Sequence, residues 1–196
     1  DRDVPVDADS GSMEATATTE ALSAPAREFL ARAPGRHFIG GEWLESTDGR
    51  SFETIDPATG QPITEVAQGG PADVDRAVAA AREAFEGAWG AVTPAKRTGM
   101  IWALGEAIKA NLPELAELES LDNGKPVSYA QGDIAAAVGH LRYFAGWPTK
   151  IEGEILPVSR PNFHVYTRKE PVGVCGQIVA WNFPLLGSYW SAADML

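Results

Sequence analysis

Glu170-Pro171-Val172-Gly173-Val174-Cys175-Gly176-Gln177-Ile178-Val179-Ala180-Trp181-Asn182-Phe183-Pro184-Leu185-Leu186 is the stretch on which the fold turns. Its apolar run, Val172 to Trp181, is rich in β-branched residues and ends on Asn-Phe-Pro. That pattern predicts a buried strand feeding a turn, with a helix starting behind it. Ligands of open α/β sheets gather at the carboxyl ends of strands, so Trp181 and Asn182 stand where chemistry is expected. No charged residue occurs from Pro171 to Ala193, a span long enough to cross a bilayer. Gln177, Asn182, Pro184 and several glycines interrupt it, however, and its C-terminal side lacks basic flanks. A soluble strand plus helix start is the preferred reading, with no membrane partner.

The remaining composition is that of a globular protein. The chain has 196 residues, 44% hydrophobic and 22% charged, enough for one sizeable domain or one domain and part of another. A formal net charge of −11 argues against nucleic acid and against anionic membrane surfaces, both of which recruit basic patches. The N-terminus has no basic region followed by an apolar core, so it does not read as a secretory signal. A single cysteine excludes an internal disulfide framework and fits a reducing, cytoplasmic location.

Working upstream, residues 1–34 are rich in Ala, Thr, Ser, Asp and Glu and read as a mobile tail, with a short helical piece at Arg27 to Arg32. The first dozen residues, ahead of Met13, read as a tag remnant or an extended start. Residues 35–150 form short strands and then helices. Phe38-Ile39-Gly40-Gly41-Glu42-Trp43 is a hairpin tip, Phe52 to Asp56 and Ile63 to Val66 are strands, and Phe38, Trp43, Phe52 and Ile55 are expected inside. A helix starts at Gly70-Pro71-Ala72-Asp73 with Val74, Ala77, Val78, Ala81, Phe85, Ala88 and Trp89 along one face. Thr93-Pro94 opens a second helix with Ile101, Leu104, Ile108 and Leu112 inward. A third runs from Pro113 to Leu121 and stops at Asn123-Gly124. A fourth, Ser128 to Thr149, buries Ile134, Val138, Leu141 and Ala145, and Pro148 kinks or ends it. Residues 151–170 read as a hairpin around the Ser159-Arg160-Pro161-Asn162 turn, which serves either subunit contact by strand addition or surface packing. Residues 171–196 carry the strand and helix start described above.

Few side chains invite chemistry. Cys175, the one thiol, lies mid-strand among apolar neighbours with no His or Lys nearby to activate it, so it reads as a packed small hydrophobe. The three histidines, His37, His140 and His164, lack ligand spacing, and no metal site is expected. Asn182 supports two readings. Its amide can donate to a carbonyl oxygen that gains charge, or it can form the turn ahead of Pro184. No glycine fingerprint declares a nucleotide by itself.

The closing stretch resembles the N-terminal signature of the NAD(P)-dependent aldehyde dehydrogenase superfamily. So do Phe38-Ile39-Gly40-Gly41-Glu42-Trp43, Asp56-Pro57-Ala58-Thr59-Gly60, Asp73-Val74-Asp75-Arg76-Ala77-Val78 and Leu121-Asp122-Asn123-Gly124-Lys125-Pro126. Arg142-Tyr143-Phe144-Ala145-Gly146-Trp147 and Tyr166-Thr167-Arg168-Lys169-Glu170 extend the match.

The resemblance implies an α/β fold, the N-terminal part of that family's structure. It comprises a small sheet plus helices, an oligomerisation hairpin at 151–170, and the first strand of a Rossmann-like cofactor domain. It implies oxidation of an aldehyde to a carboxylic acid with NAD or NADP, NAD being favoured, through a cysteine thiohemiacetal. By the same resemblance Asn182 holds the developing oxyanion, and Ile178, Val179, Ala180 and Trp181 pass along the cofactor. Phe183, Leu186 and Trp190 wall the aldehyde tunnel, and Asp122, with the backbone near Ile55, matches a monovalent-cation position of some members. The full-length protein is implied to be a homodimer or homotetramer. Family members are more than twice this length, and their nucleophilic cysteine, glutamate base and glycine-rich phosphate segment fall beyond Leu196. Ser191 to Leu196 depart from the family pattern. The alternative is a truncated, non-catalytic product that binds subunits or, weakly, cofactor.

Overall fold

Helix signals dominate the middle of the chain, and the helices they specify build its core. The computed structural model describes residues 21–32 and 35–195. Among the described residues the elements are, in order, helix α1 (Ala24–Leu30) and strands β1 (His37–Ile39), β2 (Glu42–Leu44), β3 (Ser51–Ile55) and β4 (Pro62–Ala67). Four long helices come next: α2 (Pro71–Glu86), α3 (Pro94–Ala110), α4 (Leu112–Asn123) and α5 (Val127–Ala145). Strands β5 (Ile155–Leu156) and β6 (Val165–Tyr166) and helix α6 (Pro184–Met195) complete the order.

Local chemistry explains the boundaries. Proline occupies the first turn of α1, α2, α3 and α4, where its missing N–H costs nothing and its fixed φ suits the helix. Thr93 caps α3 by accepting from the Lys96 N–H at 3.4 Å. Helix α4 stops at Gly124, whose φ of +81° is left-handed and available to glycine at little cost. A side chain there would also place Cβ 2.8 Å from Pro57 Cγ. Helix α5 ends at Ala145 instead of running to Thr149, because Gly146 and the approach to Pro148 disfavour another helical turn.

The core lies between α3, α4 and α5. Ile101, Ile108, Ala116, Ala130, Ile134, Val138, Leu141 and Ala145 form one buried cluster, with Leu185 and Tyr189 of α6 packed on it. Gly105 faces Leu141 Cβ at 3.5 Å, so its missing side chain lets α3 and α5 approach. A second cluster joins Leu22, Ala26 and Leu121, and the Ser23 N–H donates to Glu117 of α4 at 2.9 Å. The tail expected over 1–34 therefore gives way to packed structure from Leu22 on. Residues 1–20 and 33–34 lie outside the described ones.

The strands form three separate antiparallel ribbons, β1–β2, β3–β4 and β5–β6. The Gly40-Gly41 turn closes the first, with Phe38 opposite Trp43. Asn162, at φ +66°, bends the turn between β5 and β6. Their pairing lasts only two residues on each strand. Gly153 passes so close to the Thr167 carbonyl that a Cβ would sit 1.9 Å from its oxygen.

Three expectations are corrected. Phe38, Trp43, Phe52 and Ile55 are exposed, because a lone ribbon has no second layer to cover its apolar face. Val74 and Val78 of α2 are exposed for the same reason. Residues 171–180 form no strand. A strand is defined by its partners, none of the described strands lies beside it, and Ile178 is left 102% exposed.

Asp73 locks α2 to the preceding ribbons. Its carboxylate accepts from the N–H groups of Gly70 and Thr47 at 3.0 and 2.9 Å and from the Ser46 hydroxyl at 3.1 Å. Those donors, led by Gly70 and the Thr47 hydroxyl, hold its pKa well below the usual 3.8. The shift is downward, so the stabilisation is complete above pH 3.8 and drains away as pH falls through the lower folded-state value. Asp73→Asn should lower the melting temperature at neutral pH by several degrees and flatten its fall in acid. Wild-type acid dependence in the variant would contradict this. In the helical core, Leu141→Ala should cost about 2–5 kcal/mol, read as a lower urea midpoint at unchanged slope.

Candidate functional site

The turn at residues 181–183 is positioned from two sides. On its C-terminal side α6 begins at Pro184 and lies along α5 through Leu185 and Tyr189. The Gly187 N–H donates to the Phe183 carbonyl at 2.7 Å, and the Phe183 N–H to that of Ala180 at 3.4 Å. Gln177 ties the incoming segment to the same helix by donating to the carbonyls of Gly187 and Ser188 at 2.8 and 3.1 Å.

On the other side stands the α4–α5 junction. Asn123 Nδ2 donates to the Trp181 carbonyl at 2.8 Å, and Lys125 Nζ to the Asn182 carbonyl at 2.8 Å. The Lys125 ammonium also donates to Glu119 of α4 at 2.7 Å and to Asp133 of α5 at 2.8 Å. Its three N–H donors thus meet three oxygens, and the nitrogen sits 4.7 Å from the centre of the Phe183 ring. Burial pulls this ammonium towards neutrality, but the hydrogen bonds to Asp133 and Glu119 outweigh that and raise its pKa above the ordinary lysine value. It stays charged across the physiological range.

The residues singled out in the sequence fall as follows. Trp181 and Asn182 share the exposed turn, and Phe183 adjoins them under the lysine. Ile178 and Ala180 are exposed, and Val179 is half-buried beside Gly187. Leu186 is half-buried on α6. Trp190 lies further along α6 and stacks on His140 of α5, ring centres 4.7 Å apart. Those two rings, with Ala136, Gly139, Tyr143 and Phe144, line an open cavity of about 450 Å³. A larger cavity of about 610 Å³, between α1 and the first ribbons, shares no residue with the turn.

Cys175 departs from expectation. It is exposed, its S–H directed at the Gly173 carbonyl 3.6 Å away, because the segment around it has no sheet in which to pack. Asp122 lies at the surface, and desolvation by the surrounding protein raises its pKa. Among the described residues no three His, Cys, Asp or Glu side chains cluster as metal ligands. No helix among them is long and apolar enough to cross a membrane. Sequence reasoning missed Asn123, Lys125, Glu119 and Asp133 as a unit. The one local signal was a lysine directly behind a helix-stopping glycine, with acids on the helices either side.

Comparisons with known proteins point to one family. The model of the aldehyde dehydrogenase family matches residues 43–196. An aldehyde dehydrogenase of Aspergillus niger is 48% identical over 153 residues, covering 78% of this chain and 31% of that protein. The NAD+ complex of an aldehyde dehydrogenase from Bacillus cereus superimposes with a TM-score of 0.87 at 43% identity. That match covers 92% of this chain and 36% of the other. Betaine aldehyde dehydrogenase from Staphylococcus aureus, also solved with NAD+, gives 0.83 at 37% identity, covering 87% and 34%. The chain spans about a third of the length of each of these three relatives.

The exposure of Cys175 gives a direct test. In the folded chain an aromatic disulfide reagent should titrate it at a rate within a few-fold of that in denaturant. A thiol that reacts only after unfolding would contradict the exposed placement.

Proposed function

This chain belongs to the aldehyde dehydrogenase family, and we propose that it is the N-terminal third of an enzyme oxidising an aldehyde to a carboxylic acid with NAD(P)+. The observation that carries this reading is the turn at 181–183. It sets an amide side chain, Asn182, at the surface directly ahead of the α6 N-terminus and beside two apolar rings. An amide N–H and the positive end of a helix suit a carbonyl oxygen that becomes an oxyanion when a thiolate attacks. The thiolate and the general base that activates water belong to the family's segments beyond residue 196, so this chain alone is catalytically incomplete.

The cofactor fits the segment before the turn. Ile178 to Trp181 form an uncharged strip, largely exposed, that enters no sheet ladder, over which a nucleotide can pass along backbone and small apolar side chains. NAD(P)+ supplies the hydride acceptor, and NAD is favoured because similar structures, the two described above among them, hold NAD+. Asn182 donates its N–H to the substrate oxygen and stabilises charge as it develops. Phe183 and Leu186 present apolar surface that orients the aldehyde and excludes water, and Trp190 on His140 extends that wall along α6.

Residues 151–170 serve subunit contact in this reading, in a homodimer or homotetramer. Ile155, Phe163 and Tyr166 of the hairpin are exposed apolar surface suited to burial against a second copy. Cytoplasmic location is part of the same proposal.

The longer polypeptide should reduce NAD+ in the presence of a simple aldehyde, and the 196-residue chain should not. Asn182→Ala in the longer polypeptide should lower kcat by roughly 10²–10³. Unchanged turnover in that variant would remove Asn182 from the chemistry. Turnover by the short chain would overturn its catalytic incompleteness.

A further inference from the structure

We propose that Lys125, with Asn123 beside it, is a positioning residue that aims the Asn182 amide; this rests on the reading of Asn182 as the oxyanion donor. A residue's Cα–Cβ direction is fixed once its two flanking peptide planes are fixed, because each plane is rigid and only φ and ψ turn between them. The carbonyl of Trp181 lies in the plane before Asn182, and the carbonyl of Asn182 in the plane after it. Asn123 holds the first at 2.8 Å and Lys125 the second at 2.8 Å. Both donors come from the α4–α5 junction, 58 and 57 residues away in sequence. No local turn propensity supplies that pair of contacts.

The donors are themselves rigid. Lys125 is only 12% exposed, and its other two hydrogen bonds end on Glu119 and Asp133, which belong to different helices of the core. With all three donors engaged the ammonium cannot wander, and its attraction for the Phe183 ring holds that side chain as well. Asn123 is placed by the left-handed Gly124, which turns the chain so that both side chains face one turn. A lysine kept only to neutralise buried acids would need Glu119 and Asp133 alone. The third hydrogen bond, to a carbonyl at the proposed site, is what a merely structural role leaves unexplained.

The test is a mutant cycle in the longer polypeptide. Asn123→Ala and Lys125→Met should each lower kcat by roughly ten- to a hundred-fold, with KM for aldehyde and for NAD+ within about three-fold of wild type. Combined with Asn182→Ala, either change should cost less than about three-fold more, since its effect passes through that amide. Asn123→Ala leaves the Lys125 ion pairs intact, so it decides the matter if Lys125→Met does not fold. Wild-type kcat in the single variants overturns the proposal, as does an undiminished loss in the Asn182→Ala background. If the wild-type polypeptide oxidises no aldehyde, the functional reading fails while positioning is still decided by hydrogen exchange of the chain. The Phe183 and Gly187 amides should then lose protection in Asn123→Ala while amides 134–145 keep theirs, and unchanged exchange at those two overturns positioning.

Discussion

One ammonium group ties the helical core to the proposed site. Lys125 leaves α4 just past its glycine stop and bridges an acid on α4, an acid on α5 and a carbonyl of the turn ahead of α6. Buried ion pairs contribute little net stability, because the desolvation penalty consumes most of the attraction. Their value is geometric: each contact has a direction, and losing one partner leaves a charge uncompensated. The same group that makes the α4–α5 corner specific therefore makes the turn specific. Asn123 adds the second fixed point.

The chain divides by how its parts find their partners. Helices α3, α4 and α5 bury Ile134, Leu141 and Ala116 among themselves, with α6 packed on the same cluster. The ribbons and α2 present Phe38, Trp43, Val74 and Val78 to solvent, and Val172 is 93% exposed. Apolar surface of that extent normally meets another layer.

That division also governs what could be read in advance. The helices and the Gly40-Gly41 and Asn162 turns were legible because their signals are local: proline starts, glycine stops and apolar residues at helical spacing. The inward faces of α3 and α5 were legible for the same reason. Burial of Phe38 and Phe52 was misjudged because a period of two says which face is apolar and nothing about what covers it. The strand expected at Val172 to Trp181 and the packed Cys175 failed together, since both depend on neighbouring strands. Asn182 stood out through its place after an apolar run and its amide, with oxyanion donor and turn former as its two readings; family resemblance favoured the first, and it alone gave Ile178 and Trp190 roles. Lys125 carried only the weak signal of a lysine behind a helix-stopping glycine, because its meaning lies in a contact 57 residues away.

The proposed oxyanion role of Asn182 depends on where its amide points when an aldehyde is being oxidised. A crystal structure of the longer polypeptide trapped with an aldehyde on its nucleophile and NAD+ bound would show this directly. The amide nitrogen is predicted within ~2.7–3.1 Å of the substrate-derived oxygen, with the Trp181 and Asn182 carbonyls still held by Asn123 and Lys125. An Asn182 amide turned away from that oxygen, with the oxygen held by other donors, would contradict the account.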